Sequence, residues 1–301
     1  MVSSLTSGQA LDLSGFDVPG RGRGILDVFT RKYLLHLLIR KGTATRYRNS
    51  VLGWVWSYVK PAAQFVIYYF VMGVIMQMDR GIENFPVYLF SGVVAVNLFN
   101  EAFGNATTSI VDNRALVKKI YLPRELFPIA AIIIAFIHFL PQLAILLLVC
   151  LLMGWAPTLV GVAGLLLGVA LVLSFALGLG LLFAGLNVRY RDAQNFVELI
   201  RMFSTWTSPV LYPWILVREA FPDNDILFSI YTWNPLTVAV ELFHQAFWGA
   251  TIEGPAPGDP DPSIIPDFGL AVLIATIVCI VTVIIGQTVF RHYERSFAQD
   301  L

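Results

Sequence analysis

Stretches without a single Asp, Glu, Lys or Arg run from Pro61 to Met78, Phe85 to Asn100, Leu126 to Met153, Pro157 to Val188, Met202 to Val217 and Phe268 to Phe290. With flanking residues, all but the Met202 stretch are long enough to cross a hydrocarbon core of ~30 Å, which takes about 20 helical residues. The Met202 stretch becomes a sixth candidate when extended back through Asn195 to Arg201. A chain that is 57% hydrophobic and 13% charged would aggregate as a soluble domain but suits a bundle solvated by lipid. The expected fold is all-α: a polytopic membrane protein with six transmembrane helices, an N-terminal interfacial helix and re-entrant helices before the last span. Its parts are expected to be a disordered cytoplasmic tail (1–24), a cytoplasmic interfacial helix (25–54), a transmembrane domain (55–290) and a short cytoplasmic tail (291–301). The spans are placed at about 55–78, 85–104, 125–153, 157–186, 195–213 and 268–290.

The chain is formally neutral, so orientation rests on where its Lys and Arg fall. With a cytoplasmic amino terminus, all of them except Arg80 and Arg218 lie on the inner side, and both termini face the cytoplasm. The opposite orientation would put Arg46, Arg48, Lys118, Lys119, Arg124, Arg189, Arg191 and Arg201 outside. Residues 1–24 contain no apolar run long enough for a cleavable signal. The cysteines, Cys150 and Cys279, sit in apolar spans as small hydrophobes, with neither a disulfide nor a metal site expected. The histidines are scattered, and His138, inside the third span, has no carboxylate in its own helix interior, which favours packing over proton relay.

Ile25 to Lys41 reads as an imperfect amphipathic helix at the inner surface, followed by Trp54, Trp56 and Tyr58 at the depth of an aromatic belt. Two loops carry cations on the inner side: Gly104 to Arg124, and Asn187 to Phe196. In span four, Ser174 with Gly178, and Ala176 with Gly180 and Ala184, keep small residues at four-residue spacing, which admits a closely packed neighbour. From Pro209 to Gly249 prolines interrupt apolar sequence, predicting broken, re-entrant helices at the outer face. Glu253 to Asp267, rich in proline and acidic residues, is expected to be an external loop.

No lysine is followed by Ser or Thr, so the chain cannot build the phosphate-cradling loop of an ATPase, and no hydrolase motif is present. It is therefore not expected to be an enzyme. Span centres without charges weigh against an ion-coupled carrier. Two stripes are candidates for a path. Trp54, Tyr58, Phe65 and Tyr69 share one face of span one, either as a track for the apolar faces of sugars or as belt and packing residues. Asn97, Glu101, Asn105 and Thr108 recur at helical spacing in span two, either as a hydrated entrance or as hydrogen-bonding glue.

The segment Arg46-Tyr-Arg-Asn-Ser-Val-Leu-Gly-Trp-Val-Trp56 followed by Pro61, then Leu186-Asn-Val-Arg-Tyr-Arg-Asp192, Ser208-Pro-Val-Leu-Tyr-Pro213 and Asn234-Pro235-Leu236, closely resembles permease subunits of type-2 ABC exporters for polysaccharides. The closest likeness is to the Wzm-like exporters of O-antigen, teichoic acid or galactan. The resemblance covers nearly the whole chain and implies a homodimeric permease in the bacterial inner membrane, joined to two copies of a separate ABC ATPase. ATP and magnesium belong to that partner, with no cofactor in this chain and no nucleic acid. It also implies an inner gate at Arg46, Arg48 and Trp56. Coupling to the ATPase falls to Asp112, Arg114, Lys118 and Lys119 in the first inner loop and Arg189, Tyr190, Arg191 and Asp192 in the second. An external gate falls at Pro209, Tyr212, Pro213 and Pro235. The cargo implied is a polysaccharide on a polyprenyl diphosphate, sliding through an uncharged, aromatic-lined passage. The alternative is a small hydrophobic molecule carried by the same kind of exporter.

Overall fold

In lipid an apolar run satisfies its backbone polar groups internally only as a helix, or in a closed barrel. The computed structural model describes residues 24–46, 53–119, 122–190, 192–252 and 264–301, and no strand occurs among the described residues. Helices α1 (Ile25–Thr30) and α2 (Lys32–Arg46) come first, then α3 (Trp56–Tyr68), which continues as a π-helical segment over Tyr69–Ile75. The long helices α4 (Phe85–Asp112), α6 (Leu126–Leu152) and α7 (Leu159–Arg189) follow, with a short α5 (Arg114–Lys119) between the first two. Next come α8 (Ala193–Trp206), α9 (Trp214–Ala220), α10 (Asp225–Thr232) and α11 (Pro235–Phe247), and finally α12 (Phe268–Glu294) and α13 (Phe297–Asp300).

Among the described residues five helices are long and apolar enough to cross a membrane: Trp56–Ile75, α4, α6, α7 and α12. The predicted fifth span, 195–213, is different. Its helix α8 has 14 residues, about 21 Å of rise, and the chain then turns through Thr207 to Tyr212. Pro209 lacks an amide and disfavours helix at Ser208, whose Oγ turns back to the Ser204 carbonyl at 2.6 Å. A sixth crossing exists only if α10 and the helix after it, bent by 67° to one another, count as one broken span.

That bent pair dips into the bundle. Leu236, at the start of α11, lines a cavity with Phe99 and Phe175 halfway along α4 and α7. The far end of α11 is pinned where the loops meet: Trp155 Nε1 donates to the Ala246 carbonyl at 2.8 Å and Asn84 Nδ2 to the Thr251 carbonyl at 2.7 Å. The predicted break in the helix is therefore present, and α11 is buried on nearly every face rather than lying at the outer surface.

α4 and α7 form the centre. In its most apolar window 72% of α4 is buried, against 6% for Trp56–Ile75 and 17% for α12, so the first and last spans sit at the rim of the single chain. The small residues of α7 set the spacing: a Cβ on Gly180 would stand 2.5 Å from Ala106 of α4, and one on Gly178 2.7 Å from the backbone of Thr282 in α12. Cys150 and Cys279 are buried free thiols.

At the end opposite the Trp155 turn lie the cations. Here Arg124 donates to the Glu294 carbonyl and sits over the Phe297 ring at 5.5 Å, while Gln287 Nε2 donates to Glu125 at 2.9 Å. The predicted single interfacial helix over 25–54 is instead two helices broken at Arg31, with α2 packed against α6 through Gly42 and Ile134. Residues 47–52 of that stretch, the tail 1–23 and most of the predicted external loop, 253–263, lie outside the described residues.

Candidate functional site

A polar cavity of about 300 Å³ opens between α3, α4, α6 and α8. α4 contributes Asn97, Asn100, Glu101 and Asn105, α3 Lys60 and Gln64, α6 His138 and Gln142, and α8 Arg201. Glu101 lies about 24 Å from the start of a helix about 42 Å long, and His138 and Gln142 fall near the midpoint of α6. The chamber therefore sits in the middle of the bundle. Glu101, near the middle of α4, departs from the expectation of charge-free span centres. Lys60 and Glu101 stand at the edges of their apolar runs, but α3 starts alongside the middle of α4, as the Phe65–Phe90 and Tyr69–Phe85 ring contacts show. Lys60, near the start of α3, thus comes level with the middle of α4.

His138 Nδ1 lies 2.8 Å from Glu101 Oε1, with the imidazole buried and the carboxylate 19% exposed. The carboxylate absent from the helix of His138 comes from the neighbouring one. Arg201 rests on Gly104, where a Cβ would stand 3.0 Å from Nη1, and its Nε is buried without a hydrogen-bond partner, as is Gln142 Oε1. Ser204 Oγ donates to Asn100 Oδ1 at 2.9 Å, tying α8 to α4 and leaving the Asn100 amide nitrogen as a donor.

A second cavity toward the basic end shares Asn105; Thr108, Asp112 and Asn113 of α4 with Lys41 and Thr45 of α2 line its polar side, and Phe127 and Ile134 of α6 its apolar side. Lys41 Nζ donates to Asn113 at 2.9 Å. The stripe Asn97, Glu101, Asn105 and Thr108 thus faces two adjoining cavities.

The aromatic stripe divides. Phe65 and Tyr69 stack at 6.0 Å and pack on Phe90 and Phe85 of α4, with centroids 5.2 and 6.3 Å apart. Tyr58 and Phe65 border an apolar groove of about 300 Å³ between α3, α4 and α6, which meets the polar chamber at Pro61 and Gln142. Trp56 is exposed at the chamber rim. Of Trp54 and Arg46 only the backbone is described, and Arg48 and Arg191 lie outside the described residues.

Toward the end of the bundle opposite the cations, the turn containing Pro209, Tyr212 and Pro213 is held by α4. Tyr88 of α4 donates to the Pro209 carbonyl at 2.8 Å and lies 3.0 Å from that of Tyr212. Its ring stacks on His244 of α11 at 3.9 Å, and His244 Nδ1 lies 3.5 Å from Glu241. Gly92 makes the space, since a Cβ there would stand 3.1 Å from His244 Nε2 and 3.2 Å from the Val210 backbone. Thr237 of α11 donates to the Thr207 carbonyl, so Pro235, at the start of α11, and the Pro209 turn are neighbours. Tyr88 reads in the sequence as an ordinary member of an apolar helix; Glu241 and His244 stand out as polar residues in one, but the sequence does not show that they meet Tyr88 of α4.

At the basic end Asp112, Arg114, Lys118 and Lys119 are exposed on the α4–α5 corner, and Arg189, Tyr190 and Asp192 on the α7–α8 corner. Val117 anchors α5 in a small core with Ile110, Leu181, Val188, Phe290 and Phe297. Arg189 lies over the rings of Tyr190 and Tyr293 at 5.7 and 5.9 Å. Lys60, Gln64, Asn100, Gln142 and Arg201 were not singled out from the sequence as path residues. Their trace is polar pairs four apart, Lys60 with Gln64 and His138 with Gln142, which share a helix face.

Fold and site together define a polytopic helical permease: a bundle with a charged, polar chamber, a bent helix pair before the last span and exposed basic corners. Residues 33–248 match the family model of the ABC-2 type transporter, and the chain belongs to that family. It is 29% identical over 224 residues to the O-antigen export system permease protein RfbA of Klebsiella pneumoniae, a match covering 73% of this chain and 83% of the relative. To the protein of the same name in Myxococcus xanthus it is 26% identical over 226 residues, covering 75% and 84%. To the polysialic acid transport protein KpsM of Escherichia coli it is 23% identical over 270 residues, covering 88% and 95%.

Proposed function

We propose that this chain is the membrane-spanning subunit of an ATP-driven exporter that moves a polysaccharide on a polyprenyl diphosphate from the cytoplasm across the inner membrane. The observation that carries this reading is the family membership, together with relatives named for O-antigen and polysialic acid transport that align over most of both chains. Those names favour a polysaccharide over a small hydrophobic cargo.

The driving force belongs to a separate ABC ATPase, present in two copies and holding ATP and magnesium. Its docking surface is the pair of exposed corners at the basic end, Asp112 with Arg114, Lys118 and Lys119, and Arg189 to Asp192. The corners close the lower ends of α4 and α7, the two central helices, so a push there reaches the middle of the bundle through rigid elements. The chain acts as a homodimer. This is supported by the rim position of α3 and by the apolar side chains Phe196, Leu199, Met202, Phe203 and Trp206 exposed on α8. Arg46, Arg48 and Trp56 form the inner gate, and Pro209, Tyr212, Pro213 and Pro235 the outer one. Concentration of Lys and Arg at one end of the bundle supports a cytoplasmic position for that end and for both termini.

The test is deletion of the gene in its own host followed by complementation. Loss of surface polysaccharide with build-up of the lipid-linked polymer inside the cell is the expected result. Unchanged surface polysaccharide in the deletion strain would overturn the assignment.

A further inference from the structure

The two exposed corners at the basic end have little to hold themselves with. α5 has six residues and buries only Val117, and the other corner is the turn between α7 and α8. A helix of one or two turns is unstable by itself, because its first turn fixes several residues for one hydrogen bond. Both corners instead rest on the end of α12 and on α13.

α13 packs against α5 and against α7. Phe297, fully buried, shares one small core with Val117 of α5, Val188 of α7 and Phe290 of α12, whose ring it meets edge-on at 5.3 Å. From the first corner, Arg124 in the stretch before α6 donates to the Glu294 carbonyl and lies over the Phe297 ring at 5.5 Å. From the second, Arg189 lies over the ring of Tyr293 at 5.9 Å. Gly185 permits that approach of α7 to α12, since a Cβ there would stand 3.3 Å from the Phe290 backbone and 3.7 Å from the Tyr293 ring. Between Tyr293 and Phe297 the chain turns, and the turn is closed locally: the Ser296 amide and Oγ both donate to the Tyr293 carbonyl at 3.0 Å. One aromatic side chain under each corner is thereby held at a fixed spacing from the other.

We propose that residues 293–297 are a positioning element that ties the α4–α5 corner to the α7–α8 corner, so that the two move as one body. Displacement passes through packed side chains that have no free volume to absorb it, and Phe297, Phe290 and Val117 are packed in this way. A push on either corner then reaches α4 and α7 together rather than bending one corner alone. The tie itself needs no partner; its consequence for transport rests on the reading of these corners as the docking surface of an ATPase.

The first experiment follows amide hydrogen exchange in the full chain, purified in nanodiscs, with neither partner nor cargo present. Phe297→Ala, made under the first corner, is expected to speed exchange by at least about tenfold in α5 and also around Tyr190. Tyr293→Ala, made under the second, should speed it around Tyr190 and also in α5. Phe297→Leu, which keeps an apolar wedge, should exchange like the parent. Arg124→Gln changes a partly exposed side chain and threatens folding least, and it too should loosen both corners. Loosening confined to the corner that each variant touches overturns the proposal. In the assembled exporter, Phe297→Ala should keep the ATPase bound and hydrolysing ATP, because the exposed cations are untouched, while export of surface polysaccharide falls by about tenfold or more. Unchanged export, or loss of the ATPase from the complex, overturns the transmitting role. Corners that loosen together in a protein whose deletion leaves surface polysaccharide intact would uphold the tie and remove the polysaccharide reading. Corners that loosen separately, with polysaccharide lost on deletion, would do the reverse.

Discussion

Single atoms decide several contacts in this bundle. The Tyr88 hydroxyl reaches the Pro209 and Tyr212 carbonyls, which belong to a turn with few partners of its own. Tyr88→Phe is expected to cost about 1–3 kcal/mol, because it leaves a buried carbonyl unsatisfied. The readouts are a lower unfolding temperature in detergent and faster maleimide labelling of a Ser208→Cys reporter. Gly286 makes an equally local demand: a Cβ there would stand 2.1 Å from the Gly178 carbonyl oxygen, whereas one on Gly269 meets nothing within 4 Å. Gly286→Ala should destabilise by about 1–3 kcal/mol or more, and Gly269→Ala should not lower the unfolding temperature. The four-residue spacing of small residues in α7 was legible in the sequence, but their partners were not. Nothing in a run of Gly and Ala says that Gly178 meets α12 while Gly180, two positions on, meets α4.

Among the elements, α11 is the least expected. Its apolar length and its proline start predict a helix, yet its depth depends on α10 descending beside it and on the pins at its far end. Its start is fixed locally, since Asn234 Oδ1 accepts from the Leu236 amide at 3.1 Å and Pro235 occupies the first helical turn. Asn234→Ala should therefore lower stability by about 1 kcal/mol and Asn234→Ser much less, as measured by thermal unfolding of the purified chain. The fifth span shows the limit of counting apolar residues. Met202 to Val217 carries no charge, but Pro209 ends the helix inside that stretch, so one uncharged run became two elements and a turn. The chamber was legible in part: the period of Asn97, Glu101 and Asn105 placed them on one face, while Lys60 and Arg201 read as edges of apolar runs.

For the molecule as a whole, the proposed docking surface for the ATPase is the pair of exposed basic corners at the foot of the central helices. Lys118→Glu with Lys119→Glu is expected to abolish co-purification of the ATPase without altering membrane insertion or unfolding temperature, because both side chains are exposed and only Val117 of that short helix is buried. An unchanged yield of ATPase in the pull-down would remove this corner from the docking surface. The sequence by itself determined that the chain is helical, lies in a membrane and gathers its cations at one end, since lipid leaves long apolar runs few folds and penalises misplaced charge. Only the tertiary structure decided which charges share a cavity. Helix register comes from close packing at glycines and from the offset of α3 along α4, and that offset brings Lys60, near the start of α3, level with the middle of α4.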